Sequence, residues 1–237
     1  VPLSTQHSPR MSRRFEASRL VFDLDGTLVD TAPDLAAAMN HVLGVAGRPP
    51  VPLEDVRPMV GLGARRLLEA GLEATGGRLD AEDEAALLER FLVHYRENVA
   101  RLSRPFPGAR ELLDDLACRG MACGLCTNKP QALTEALLAE LSFDRYFTSV
   151  VGGDALAVRK PDPAHLHHVL DRLGGDGPAV FVGDSEVDLA TARAAGVPII
   201  LVEFGYSLAP AGSLGADGVI ARLEDLIELI TISLKGL

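Results

Sequence analysis

Side chains able to bind cations, phosphate or protons recur at one kind of position in this chain, directly after short apolar runs. Leu20, Val21 and Phe22 lead into Asp23, with Asp25, Gly26 and Thr27 behind it. The run from Met121 to Cys126 leads into Thr127, Asn128 and Lys129. Ser149–Val151 is followed by Gly152, Gly153 and Asp154 and then, in RKPDP, by Lys160. The run from Ala179 to Val182 leads into Gly183, Asp184, Ser185 and Asp188 in GDSEVD. Burial at the end of such a run would raise the pKa of Asp23, and a divalent cation shared with Asp184 would keep it ionised. Oxygen-only ligands from two or three carboxylates suit Mg²⁺. A hydroxyl and an ammonium beside that ion make a cradle for phosphate. An ionised carboxylate facing phosphorus is a nucleophile able to form an aspartyl phosphate. A second carboxyl two residues on, at Asp25, projects to the same side and can exchange protons with the leaving oxygen.

These residues need elements that bring distant strand ends together. The apolar runs read as buried strands at Leu20–Phe22, Met121–Cys126, Ser149–Val151, Ala179–Val182 and Val197–Val202, with a short strand at Gly218–Ile220 and a final helix from Leu223. Helical spacing of apolar residues fills the gaps over Gly108–Arg119, Pro130–Leu141, Asp162–Leu173 and Glu186–Ala195. Continuous apolar strands alternating with helices predict an α/β fold, a Rossmann-like parallel sheet covered by helices. In such sheets ligands bind at the carboxyl ends of the strands, where the strand order reverses. One segment breaks the alternation. From Ala32 to Ser103 the spacing predicts helices over Pro33–Val45, Gly63–Leu72 and Asp80–Ala100, with Leu87, Leu88, Phe91, Leu92 and Tyr95 as an apolar stripe on the last, and no strand. That length is too great for an ordinary crossover. It predicts a small all-helical cap domain at 32–103 inserted after the first strand, with the α/β core at 19–31 and 104–237 and RPFPG at 104–108 as the return hinge.

Composition sets outer limits. The chain has 237 residues, 47% of them hydrophobic and 24% charged, with a net charge of −10. This is the profile of a soluble globular protein without the basic face that a nucleic-acid partner needs. No apolar run is long enough to span a membrane. Residues 1–18 are polar and basic, lack the apolar centre of a signal peptide and read as a flexible leader, with Met11 as a candidate natural start. Three cysteines, Cys118, Cys123 and Cys126, fit a reduced cytoplasmic chain. Cys123 and Cys126 form a C-x-x-C pattern, but within a strand residues three apart point to opposite faces, so they read as core thiols.

The four blocks DLDGT, TN after an apolar strand, KPDP and GDSEVD, in that order, resemble the haloacid dehalogenase superfamily of phosphohydrolases. The helical insertion resembles that family's small cap, and the likeness runs from Leu20 onward. Within the superfamily, DLDGTLVDTAPDL, VRPMVGLGARRLL, CTNKP and RKPDPAHL look most like the phosphatases of 2-phosphoglycolate. The resemblance implies Asp23 as nucleophile and Asp25 as general acid and later base. It implies Mg²⁺ held by Asp23, the backbone carbonyl of Asp25 and Asp184, with Asp188 behind them. Thr127, Asn128 and Lys160 would bind the transferring phosphoryl group. Dehalogenase members usually lack the second Asp, so Asp25 favours phosphoryl chemistry.

Plainer readings stand beside these. Asp188 can serve a helix dipole, and Lys129 can be solvated surface or part of the site. His165 and His168 share one helical face, which reads as an exposed polar face rather than a metal pair. The glycines of VGLG suit a loop that approaches substrate. A substrate carboxylate would need its own cation in the cap, where Arg57 ranks first and Arg65 second, with Gly61 and Gly63 offering backbone amides. Competing activities are a mutase or phosphatase of another sugar phosphate, a phosphonate hydrolase and a phospho-Asp receiver. The phosphonate hydrolase would need a cap lysine, and none lies between Ala32 and Ser103. Receivers are about half this length and have no cap.

Overall fold

The computed structural model describes residues 14–233. Short strands β1 (Phe15–Ala17) and β2 (Arg19–Phe22) are followed by β3 (Val29–Asp30) and then by helices α1 (Ala32–Val45), α2 (Leu53–Val56), α3 (Ala64–Ala74) and α4 (Ala81–Glu97). The chain returns through β4 (Arg104–Pro105) and α5 (Ala109–Cys118) to β5 (Ala122–Cys126), α6 (Gln131–Glu140), β6 (Ser149–Val151) and α7 (Pro163–Leu173). Then come β7 (Ala179–Gly183), α8 (Glu186–Ala195), β8 (Ile199–Val202), β9 (Gly218–Ile220), α9 (Leu226–Leu229) and β10 (Ile230–Ile232).

Six strands form one parallel sheet in the order β6-β5-β2-β7-β8-β9. The chain runs outward from β2 through β5 to β6, then crosses to β7 on the other side of β2. The order therefore reverses between β2 and β7, where a parallel sheet opens a crevice at its carboxyl edge. Successive strand residues supply opposite faces. Leu20, Phe22, Val180 and Val182 enter one buried cluster, and Val21 and Phe181 enter the other. Cys123 and Cys126 divide in the same way, one to each cluster. Burial pushes both thiols up to about 12, so they remain neutral and pack as small apolar groups.

Helix ends follow local chemistry. Asp162 caps α7 ahead of Pro163, and Ser185 and Asp188 form a reciprocal capping box at α8. The helices α1 to α4 pack their apolar stripes together, with Phe91 and Tyr95 of α4 buried. The segment is tied at both ends. β3 and β4 pair antiparallel, and buried Asp34 accepts hydrogen bonds from the backbone N–H groups of Leu102 and Ser103 and from the Ser103 hydroxyl.

Both termini differ from the sequence reading. Residues 15–17, assigned to a flexible leader, form β1, which pairs in parallel with β10 and buries Phe15 and Ala17. The expected final helix shrinks to a short turn and α9, because β-branched Ile230, Thr231 and Ile232 suit the extended pairing instead. The rest of that leader, residues 1–13, and the candidate start at Met11 lie outside the described residues. Among the described residues, no helix is long and apolar enough to cross a membrane.

Candidate active site

The carboxyl ends of β2, β5 and β7 bring Asp23, Asp25, Thr127, Asn128, Lys129, Asp184 and Asp188 together, all nearly buried, and Lys160 joins them from the loop before α7. Carboxylate oxygens of Asp23, Asp184 and Asp188 lie within 4.8 Å of one another. Lys160 Nζ stands 2.8 Å from Asp23 and 2.7 Å from Asp188. The contact with Asp23 Oδ1 has ion-pair distance without hydrogen-bond alignment, which leaves that buried oxygen without a hydrogen bond. Asp188 is fully used: Oδ1 takes Lys160, and Oδ2 takes the N–H groups of Asp184 and Ser185 and the Ser185 hydroxyl. It therefore props the loop that carries Asp184.

Asp184 accepts from the Thr27 hydroxyl through Oδ1 and from the Tyr206 N–H through Oδ2. Glycines make room for it. A Cβ on Gly26, whose φ is 86°, would stand 2.4 Å from Asp184 Oδ2, and one on Gly205 would stand 2.2 Å from Asp184 Cβ. Asp25 Oδ1 accepts from the Thr31 hydroxyl at 2.7 Å and from Lys129 Nζ at 3.0 Å. Its Oδ2 receives no hydrogen bond from the described residues.

Electrostatics call for a cation. Burial pushes Asp23 up to about 7 against the opposing pull of Lys160, with Asp188 and Asp25 adding to the rise. Burial, then Asp188 and Asp23, hold Asp184 well above the usual carboxylate range. Burial works to lower Lys160, but Asp188 and Asp23 outweigh it and keep the ammonium charged. Four buried carboxylates thus face two buried ammonium groups, Lys129 and Lys160. With all four ionised the deficit is two positive charges, which one divalent cation would remove. An oxygen-only donor set, in which Asp23 Oδ1 is ion-paired to Lys160 but accepts no hydrogen bond, fits such an ion.

Several residues differ from their sequence reading. Lys129, left open between surface and site, is buried between Asp25 and Tyr95. His165, read on an exposed face, is fully buried. Its Nδ1 accepts the Lys160 N–H at 3.2 Å, and its Nε2 lies 3.1 Å from the Gly152 carbonyl. The buried wall of α7 explains this, since Leu166 and Val169 flank it in the core. Tyr95, counted in an apolar stripe, accepts a hydrogen bond from Lys129 Nζ at 2.5 Å through its hydroxyl oxygen. Asn128 Nδ2 donates to the carbonyls of Gly61 and Lys160, so the Gly61–Gly63 loop rests on the sheet edge.

The two arginines expected at a substrate anion stand elsewhere. Arg57 gives a two-pronged ion pair to Asp30 at 2.9 and 2.8 Å, and Arg65 is exposed; neither lines the cavity beside Asp23 and Asp25. Tyr206, absent from the sequence reading, ties this corner together. Its hydroxyl donates to Asp30 at 2.6 Å and accepts from the N–H groups of Thr31 and Ala32, under the Arg57 guanidinium. Its position after β8 was the available signal, since every other strand end in the crevice carries a site residue.

The cavity runs from Asp23, Asp25 and Thr127 to Leu35, Phe91 and Tyr95. The Asp23 carboxylate, a second carboxyl with a free oxygen and the Lys129 ammonium on that space, with Lys160 against Asp23 outside the lining, can support displacement at phosphorus.

Comparison with known proteins agrees with this chemistry. Residues 20–202 match the family described as haloacid dehalogenase-like hydrolase. The phosphoglycolate phosphatase of Caulobacter vibrioides is 48% identical over 208 residues, which cover 87% of this chain and 88% of that protein. That of Rhodospirillum rubrum is 46% identical over 205 residues, covering 84% and 85%. A crystal structure of a predicted phosphoglycolate phosphatase from Haemophilus somnus superposes with a TM-score of 0.84 at 28% identity, covering 89% of this chain and 96% of that one. With its sheet order, its strand-end carboxylates and these relatives, the chain belongs to the haloacid dehalogenase-like hydrolases.

Proposed function

We propose that this protein is a Mg²⁺-dependent phosphatase that converts 2-phosphoglycolate to glycolate and phosphate. The observation that carries the reading is the buried pair Asp23 and Asp25, one beside two further carboxylates and the Lys160 ammonium, the other with one oxygen held and one free. The names of the relatives at 48% and 46% identity support the choice of substrate.

Asp23 attacks phosphorus and becomes an aspartyl phosphate as the bond to the leaving oxygen breaks. Asp25 gives that oxygen a proton from Oδ2, then takes one from the water that attacks the phosphorus of the aspartyl phosphate. That attack frees phosphate and restores Asp23. Thr127, Asn128 and Lys160 hold the transferring oxygens. Asp23, Asp184 and the backbone carbonyl of Asp25 would hold Mg²⁺, which supplies neutralisation of phosphoryl charge when bound. Asp188 positions Asp184 and Lys160.

We read residues 32–103 as a cap over a core of residues 19–31 and 104–237, to which β1 is joined. The Asn128 contact to Gly61 supports a cap loop that approaches substrate. The free, mainly buried cysteines support a reducing cytoplasm.

A panel of phosphorylated metabolites assayed for phosphate release, with Mg²⁺ and with chelator, tests the proposal. The highest kcat/KM is expected for 2-phosphoglycolate, with loss of turnover in chelator. Equal activity in chelator would remove the metal from the account. A tenfold or greater preference (about 1.4 kcal/mol) for a sugar phosphate would assign another substrate.

A further inference from the structure

We infer that Lys129 and Tyr95 form the subsite for the substrate's carboxylate, and that this subsite selects phosphate esters whose carboxylate sits on the carbon bearing the phosphate oxygen. The inference rests on the phosphatase reading and adds the anchor that the arginines do not supply.

The argument is an inventory of donors. Lys129 Nζ carries three N–H groups and cannot accept. One reaches Asp25 Oδ1 at 3.0 Å and one reaches the Tyr95 hydroxyl at 2.5 Å. The third has no acceptor among the described residues. Because an ammonium only donates, the Tyr95 oxygen must accept, and its own hydrogen is left without an acceptor among the described residues. Tyr95 is 1% exposed and Lys129 is 4% exposed, so water does not freely serve either group. Burial, with help from Asp25 and Asp34, holds the phenol far above its ordinary pKa, so it stays a neutral donor. Two donors from neighbouring atoms, both lining the cavity, match the two oxygens of one carboxylate.

Other cations are engaged or stand outside the cavity lining, Arg159 among the latter although its guanidinium lies beside Gly63. Lys160 serves Asp23 and Asp188, and Arg57 serves Asp30. Among the residues lining the cavity, Lys129 is the sole cation. Leu35, Leu67, Phe91 and Leu133 form an apolar wall beside Lys129 and Tyr95, while Thr127 and Asn128 face the phosphoryl end and Gly61 and Gly63 bring only backbone. Distance sets the class of substrate. Lys129 touches Asp25, the residue that meets the leaving oxygen, so an anion on Lys129 lies within a few bonds of that oxygen. A carboxylate one carbon from the ester oxygen meets this condition, and a longer spacer pushes it toward the apolar wall.

Calorimetric binding in Mg²⁺ separates the possibilities. The probes are 3-phosphonopropionate, a non-hydrolysable analogue of 2-phosphoglycolate, and propylphosphonate, which lacks the carboxylate. Tyr95→Phe should weaken 3-phosphonopropionate about tenfold, and by several times more than it weakens propylphosphonate. Lys129→Met should do the same to a greater extent. Tyr95→Phe decides the matter even where Lys129→Met fails to fold, since it keeps the ring that α4 buries. Equal weakening of both probes, or none, overturns the inference. Steady-state rates on 2-phosphoglycolate, 3-phosphoglycerate and ethyl phosphate separate it from the substrate reading. Wild type that favours 2-phosphoglycolate while Tyr95→Phe loses equally on all three keeps the function and sinks the subsite. Wild type that hydrolyses all three alike sinks the substrate and the subsite together.

Discussion

Asp25 differs from Asp23 in how its oxygens are held, and that difference suits the separate tasks proposed for them. Thr31 and Lys129 pin Asp25 Oδ1 and leave Oδ2 free, a geometry suited to proton exchange. Asp25→Asn is therefore expected to slow the phosphorylation step far more for alkyl than for nitrophenyl phosphates, by about 10² or more, because a poor leaving group needs the proton. Single-turnover rates measure this, and an equal loss on both would exclude Oδ2 as the acid. His165 supplies a test of pH. Burial, and then the charge of Lys160, push it down to about 4 from 6.5. Its neutral form, with Nδ1 accepting from the Lys160 N–H and Nε2–H donating to Gly152, fits both contacts; the cation puts a second hydrogen against that N–H. The folded state thus binds fewer protons than the unfolded chain in this window. Its contribution is complete above 6.5 and is lost as pH falls toward 4. The urea midpoint of wild type should fall more steeply than that of His165→Asn between neutrality and pH ~5. Parallel falls would contradict the assignment. At this scale the carboxylates were legible because Asp ending an apolar run has few reasons to be there. Lys129, His165 and Tyr95 were not, since local sequence does not say which way a long side chain turns or which helix face meets a sheet.

At the scale of elements, the helical segment is fastened beside the crevice by Arg57 on Asp30, with Tyr206 joining Asp30 to the loop that holds Asp184. Burial works against ionisation of Asp30, but Arg57 and Tyr206 outweigh it and hold the carboxyl below its ordinary range. The pair is about one third exposed, so its direct worth is modest, about 1 kcal/mol or less. Arg57→Ala should therefore lower kcat/KM a few-fold on 2-phosphoglycolate and on ethyl phosphate alike, through the fit of the helices on the crevice. A selective loss on 2-phosphoglycolate would return the carboxylate to Arg57. Strand ends and helices were readable from apolar spacing, and α8 coincides with its predicted span, Glu186–Ala195. The β1–β10 pair escaped because strands of three residues carry little periodicity, and their partners lie at opposite ends of the chain.

For the whole molecule, the surplus of buried carboxylates over ammonium groups makes stability depend on the metal. Mg²⁺ at a hundredfold above its Kd should stabilise the fold by about 2.7 kcal/mol, and chelator should remove the gain. Asp184→Asn should lose most of this response, as read by the shift in Tm. A shift that survives in that variant would place the ion elsewhere. Alternation of strand and helix implied a parallel sheet but not its order, and the observed order 3-2-1-4-5-6, counted along the six strands, makes the crevice between β2 and β7 the place where every site block meets.

The covalent step on Asp23 is the central claim, and trapping it is the most direct test. Asp25→Asn, mixed with a nitrophenyl phosphate and Mg²⁺ and quenched in acid, should carry the mass of one phosphoryl group on the peptide containing Asp23. The Asp23→Asn protein should carry none and should lose turnover while remaining folded. A phosphoryl group on another residue, or turnover within about tenfold of wild type in Asp23→Asn, would contradict the account.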